Sequence, residues 1–166
     1  NLVKNTFSRI IKGTLFLSDY CRKNKVDIIY SSSDFLADSF PAFFNKFIHP
    51  ESIWIAGFYL FAPAPWDKKS PYKGKSFFRG IVYWLEQFIP YLLIKRWADF
   101  VFVTSEPDVK KFITARRNVS KIVVVQGGVD ITKSEKYLSS NKIIPIKKRK
   151  YLACFIGRLH YQKGVL

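Results

Sequence analysis

Val3, Phe7, Ile10, Thr14, Leu17 and Cys21 recur at spacings of three and four, which predicts a helix with these side chains on one face, ended by the basic run at Lys23 to Lys25. The pattern then shortens. Val26 to Tyr30 (VDIIY) reads as a buried strand, and the Ser31, Ser32, Ser33, Asp34 cluster after it offers side-chain oxygens to cap a helix over Asp34 to Phe47. Pro41 falls inside that helix and predicts a kink or stop. Ile53 to Gly57 (IWIAG) is a second strand, followed by a long proline- and aromatic-rich loop to Ser76. A nearly all-round apolar helix is expected over Phe77 to Ala98, bent at Pro90. Phe100 to Thr104 (FVFVT) is a third strand. Ser105 with Asp108 resembles a capping box opening a helix through Ala115, with Pro107 in its tolerant first turn. Ile122 to Val125 is a fourth strand, closed by Gln126, Gly127 and Gly128.

Strands that alternate with helices, each strand almost continuously apolar, predict an α/β fold: a Rossmann-like parallel sheet with helices on both faces. Such sheets bind ligands beyond the carboxyl ends of their strands. The residues there are Ser31 to Asp34, Phe58 and Tyr59, Thr104 to Glu106, and Gln126 to Asp130, which makes Ser33, Asp34, Phe58, Tyr59, Ser105 and Glu106 candidate cleft-lining groups. Residues 1–133 form the first expected domain and the polar, basic stretch 134–150 a linker. Tyr151 to Ile156 then opens a second unit as a buried strand. Gly157 breaks that strand before Arg158 and Lys163, five residues apart with Gly164 behind. A strand-to-helix turn of this kind presents paired cations and backbone N–H groups to an anion.

Composition narrows the classes. The 166 residues carry a net charge of +16, which calls for an anionic partner such as a phosphorylated substrate or a lipid surface. The cations come in short sets: Arg22, Lys23 and Lys25; Lys68, Lys69, Lys73 and Lys75; Arg116 and Arg117; and Lys147 to Lys150. Each set also reads as a solvated helix end or loop. Cys21 and Cys154 are far apart and lack metal-like spacing, so they read as core thiols in a reducing, cytoplasmic setting, and no metal is expected. The longest apolar stretch, Phe77 to Phe102, is broken by Arg79, Glu86, Lys95, Arg96 and Asp99 and is not expected to span a membrane. The sequence contains no Met, and it ends shortly after Lys163, so truncation at both ends is expected.

The order VDIIYSSS, SIWIAG, WADFVFVTSE, KIVVVQGGVD and YLACFIGRLHYQKGVL resembles the retaining glycosyltransferases of the GT-B fold, in the group that includes family 4. Its sharpest parts are ADFVFVTSE, VVVQGGVD where the family commonly has Asn-Gly-Val-Asp, and FIGRLHYQKG, similar to the family's Gly-Arg-Leu followed by Lys-Gly. The resemblance implies an acceptor-side domain up to about Ser134 and a donor-side domain opening at Tyr151. It implies that Arg158 and Lys163, with Gly157, contact the diphosphate of a nucleotide-sugar donor, and that Gly127, Gly128 and Asp130 form a hinge. A sugar leaving as a nucleotide diphosphate builds up charge that two fixed cations neutralise. The paired glutamates and the first glycine-rich loop of the family are not found in these residues, so the chain alone is expected to be inactive. Gln126 stands where the family has Asn. No catalytic residue is assigned, and the nucleotide-sugar is a substrate, so no cofactor is expected.

His49, before Pro50, reads as a surface residue, and His160 as a variable position inside the phosphate turn. Asp34 and Glu106 are explained by capping as well as by an acceptor site. Aromatics and lysines interleave from Phe58 to Phe78, which fits contact with an anionic membrane surface and hence a peripheral enzyme with a sugar or lipid-linked acceptor. The same segment could instead fold onto its own domain. A nucleic-acid partner is not expected, because no recognition motif or stacking platform is evident. A non-catalytic acceptor- or membrane-binding half is the other alternative. A dehydrogenase is disfavoured by the absence of a G-x-G-x-x-G motif.

Overall fold

A computed structural model describes residues 2–128, 131–140 and 143–151. Helix α1 runs Leu2–Lys23, strand β1 Ile28–Ser31, α2 Leu36–Ile48, β2 Ile53–Gly57, α3 Phe77–Trp97, β3 Phe100–Val103, α4 Glu106–Phe112, β4 Ile122–Val124 and α5 Thr132–Leu138. Short 3-10 turns lie at Gly74–Ser76, Val119–Lys121 and Ile146–Lys148. The chain divides into two compact units, Asn1–Gln126 and Gly127–Leu166. In the second, α5 crosses the start of the basic stretch 134–150. Asp130, Cys154, Gly157, Arg158, His160 and Lys163 lie outside the described residues, as does the strand expected from Tyr151 onwards except for Tyr151 itself.

The first unit is an α/β fold: a four-stranded parallel sheet, ordered β1-β2-β3-β4 and flanked by helices. Tyr30 pairs with Ile55, Ala56 with Val101, and Val103 with Val124. Parallel neighbours need a crossover between them, and α2, α3 and α4 supply the three. Trp54, Ala56, Val101, Val103 and Ile122 form the sheet side of the core, with Ala42 of α2, Ile94 of α3, and Val109 and Phe112 of α4 packed against them. The alternate positions Ile28, Tyr30, Ile53 and Val123 point the other way and are exposed.

Both interior prolines are absorbed without ending their helices. Pro41 lies within the continuous α2, and Asn45 Nδ2 donates to the Pro41 carbonyl at 3.0 Å. Its ring packs on α1 where Gly13 leaves room: a Cβ there would come within 3.2 Å of Pro41 Cγ. Likewise Pro90 is buried inside the uninterrupted α3. The packed face of α1 carries Ile10, Leu17 and Cys21, whereas Phe7, expected on that face, is exposed. Among the described residues no helix is long and apolar enough to cross a membrane.

Helix α4 stops at Phe112 rather than Ala115. Ile113 turns extended, and Thr114 and Arg117 exchange backbone hydrogen bonds of 3.0 and 3.2 Å in a tight turn. Arg117 was expected beside Arg116 on a solvated surface. It is instead 3 % exposed, with its guanidinium donating to the carbonyls of Ile94, Lys95, Ala98 and Phe112.

Candidate functional site

At the carboxyl ends of β1, β2 and β3 the chain brings together Tyr30, Ser31, Ser33, Asp34, Phe58, Tyr59 and Thr104. Ser31 Oγ accepts from Trp54 Nε1 at 3.0 Å, fixing the end of β1 to β2. Phe58 N donates to Phe102 O at 2.8 Å, so the chain leaving β2 stays on β3 for one more residue. Thr104 Oγ1 then donates to Tyr59 O at 2.9 Å.

Tyr59 folds back over the strand it has just left, a path that Gly57 permits. A Cβ on Gly57 would lie 2.5 Å from Tyr59 Oη, so any other residue there would displace the Tyr59 ring from this position. The two phenols of Tyr59 and Tyr30 share a 2.8 Å hydrogen bond, and Tyr30 also meets the Phe102 ring at 5.9 Å. Burial, then the hydrogen bond and charge of Tyr30, push the Tyr59 phenol up to about 12.

Asp34 does not cap α2. Phe35 occupies the N-cap position with no side-chain cap, and Ser33 Oγ pairs with Asp38 instead. The Asp34 carboxylate is 6 % exposed, and its Oδ2 accepts from Leu60 N at 3.1 Å and Gln87 Nε2 at 3.0 Å. It therefore ties the loop after β2 to the middle of α3. Burial raises its pKa, opposed by donated backbone N–H groups and assisted by the nearby Asp38 charge.

Ser105 Oγ donates to Asp108 Oδ2 rather than capping a backbone N–H, and Glu106 is exposed at the start of α4. Asp108 also meets Lys111 Nζ at 2.8 Å. Gly127 and Gly128 are exposed with open space around them, and neither takes the left-handed backbone region. His49 is half-buried, 3.3 Å from Glu51.

The long loop is divided. Phe58 and Tyr72 are buried, and a Cβ on Gly80 would sit 2.4 Å from Tyr72 Cβ, so the loop docks on α3 through that glycine. Trp66, by contrast, is 63 % exposed and packs edge-on against Trp84 at 4.9 Å. Phe78 is 72 % exposed just beyond the lysine set.

Between the loop and α3 lies a cavity of about 390 Å³ that sequence reasoning missed. It is lined by Phe58, Phe61, Ala62, Trp84, Gln87, Phe88, Tyr91 and Lys111. Trp84, Gln87, Phe88 and Tyr91 sit three and four apart on α3, and the one polar residue in that stripe was the available signal. Gln87 is 3 % exposed. Its amide nitrogen is spent on Asp34 and its carbonyl oxygen has no hydrogen-bond partner.

A second concavity, of about 240 Å³, lies at the amino end of the sheet between Lys46, Arg96, Asp99, Arg116, Arg117 and Lys121. Its buried members are already committed. Lys46 Nζ holds Asp99 Oδ2 at 2.9 Å and the carbonyls of Pro50 and Ser52, and Asp99 Oδ2 accepts from Trp54 N at 2.7 Å. Comparison of the chain with protein-family profiles, with curated proteins and with solved structures found no match.

Proposed function

We propose that this chain is the acceptor-side part of a retaining glycosyltransferase that moves a sugar from a nucleotide-sugar donor to a sugar or lipid-linked acceptor. The observation that carries the reading is the parallel β1-β2-β3-β4 sheet, whose carboxyl ends gather a polar knot of Asp34, Tyr59, Tyr30 and Thr104. Ligands of open α/β sheets lie in that crevice. The Gly-Arg-Leu and Lys-Gly sequence at Gly157 to Gly164 supports the same reading from the donor side.

In this scheme Arg158 and Lys163 neutralise the charge that accumulates on the leaving diphosphate, as fixed cations rather than proton carriers. The residues of the knot shape the acceptor side. Tyr59, with its phenol pushed up to about 12 and so neutral near pH 7, serves as a hydrogen-bonding wall and not as a base.

The test is turnover of a panel of nucleotide-sugars by the protein that encompasses this sequence, followed by mass spectrometry, with product anomers read by NMR. Consumption of one donor with retained configuration, abolished by Arg158→Ala and Lys163→Ala, is expected. Inverted products, or turnover that survives both substitutions, would overturn the reading.

Peripheral attachment to an anionic membrane belongs to the same proposal. Trp66 and Phe78 are exposed around Lys68, Lys69, Lys73 and Lys75, the combination that settles at a lipid headgroup layer. Co-sedimentation with anionic vesicles should fall as salt rises. Equal recovery on neutral vesicles would refute the electrostatic part.

A further inference from the structure

The aromatic cavity between the loop and α3 is not used by the reading above, and it has the features of a binding site in its own right. Its volume, about 390 Å³, falls within the range of small-molecule sites, which run from about 300 to 1,000 Å³. Its wall is a continuous aromatic surface: Phe58 meets Phe61 at 4.6 Å, Phe61 meets Tyr91 edge-on at 5.5 Å, and Trp84 stacks on Phe88 at 4.3 Å. These rings support one another around the space between them. Such a wall offers dispersion contacts to an alkyl or prenyl chain.

Two polar groups interrupt the wall. Gln87 is 3 % exposed and its carbonyl lacks a partner, a state that a folded protein tolerates where a ligand or water completes the bonding. Lys111 stands on the α4 side with Nζ 3.7 Å from the Phe61 ring centroid, and Asp108 at 2.8 Å holds it there. Asp108 takes one of the three N–H donors of this ammonium, on a chain whose net charge is +16. An anionic head is the complement of that charge, and a cationic head would be repelled.

We propose that this cavity binds a single-chain anionic amphiphile, with its apolar chain among Phe61, Trp84, Phe88 and Tyr91 and its anionic head beside Lys111. The site stands independently of sugar transfer, because none of its features depends on a donor. Its closing measurement is binding alone, so failure of turnover and failure of this site are separately visible.

The experiment titrates dodecyl phosphate, below its micelle concentration, against the protein by calorimetry, with dodecanol and inorganic phosphate as partial probes. Dodecyl phosphate should bind at least tenfold more tightly than either partial probe. Ala62→Phe, which places a ring in the cavity, should weaken dodecyl phosphate at least tenfold, and Lys111→Gln should remove its advantage over dodecanol. Circular dichroism melts check that each variant is folded, and Ala62→Leu serves if Ala62→Phe is not. Inorganic phosphate binding as tightly as dodecyl phosphate would assign the effect to surface lysines and overturn the proposal. Undiminished binding to the folded Ala62 variants would place the chain outside the cavity and overturn it too. If anionic vesicles recruit the Ala62 variants and the parent equally while monomeric dodecyl phosphate binds neither, the ligand is a bilayer surface and the cavity is not its site.

Discussion

Replacing Arg117 with Met should be among the most damaging single changes to the first unit, and the reason can be worked from its bonds. The guanidinium lies 2.6 Å from Ile94 O, 2.7 and 3.1 Å from Ala98 O, 3.1 Å from Lys95 O and 3.2 Å from Phe112 O. These are the terminal carbonyls of α3 and α4, which have few or no partners within their own helices and form the negative ends of two macrodipoles. Ile94 O keeps a 3.1 Å bond from Ala98 N, so the change falls mainly on Lys95, Ala98 and Phe112.

Hydrogen bonds to a charged group contribute about 1.5–3 kcal/mol each, and water entering beside the exposed Arg116 recovers part of the loss. A net cost of about 3–5 kcal/mol follows, in line with breaking other buried charged networks. Met keeps much of the apolar stem volume, so the loss isolates the donors. Against a total stability of roughly 5–15 kcal/mol this is a large fraction, and at about 2–4 °C per kcal/mol it lowers the melting midpoint by roughly 6–20 °C. Arg117→Lys keeps the charge but not the fork, and should recover less than half of the loss. The assay is urea denaturation followed by circular dichroism, with the midpoint and slope compared between variants. A loss under about 1 kcal/mol for Arg117→Met would show that the carbonyls find other donors, and would refute the reasoning.

Three further outcomes are expected. Gly80→Ala would stabilise an ordinary helix by about 0.5–1 kcal/mol, but here it should destabilise by about 1–3 kcal/mol and expose the loop to limited proteolysis, because the new Cβ meets Tyr72; a rise in melting temperature refutes the docking. For Asp34 the folded pKa lies above its unfolded value, so the carboxyl is best tolerated in its protonated form, and that contribution is lost as pH rises from about 3.8 through the folded pKa. The stability of Asp34→Asn relative to the parent should therefore climb across that window in denaturation curves, and a falling difference would contradict the burial argument. In ultraviolet difference titration Tyr59→Phe should remove a phenol ionising near pH 12, and loss of one ionising near pH 10 would refute its burial.

The strands and helices were legible because period and turn residues are local signals. Pro41 reads as a kink or stop and Pro90 as a bend, and both are carried inside helices whose packing outweighs the missing hydrogen bond. The site was less legible because its partners are distant along the chain. Ser33 and Asp34 before an apolar run look like a cap, yet Asp34 is bound by Leu60 and Gln87, 26 and 53 residues away. No local pattern announces such a tie. Arg117 reads as one of two adjacent surface cations, and only the convergence of two helix ends on it makes it a buried capping group. Gly57 was read as a strand end, and it is the gap that lets Tyr59 return to Tyr30.

The two ends of the sheet differ in how completely their polar groups are used. At the amino end Lys46 serves Asp99, Pro50 and Ser52, Asp99 serves Trp54, and Arg117 serves four carbonyls, so the buried cations there are consumed by the fold. At the carboxyl end Asp34 carries a desolvated carboxylate, Tyr59 a phenol shifted to about 12, and Gln87 a carbonyl with no partner beside the aromatic cavity. The other unpartnered buried side-chain atom among the described residues, Asn45 Oδ1, belongs to α2, where Asn45 Nδ2 also reaches Ser18 of α1. Selection for stability alone removes costs of the Gln87 kind, since an apolar residue of similar shape in place of an unpaired amide is neutral or better. Gln87 cannot be changed so simply, because its nitrogen holds Asp34. The pair couples the strand-end knot to the cavity wall, so a ligand that shifts Gln87 acts directly on the residue anchoring Leu60 and the loop that carries Tyr59.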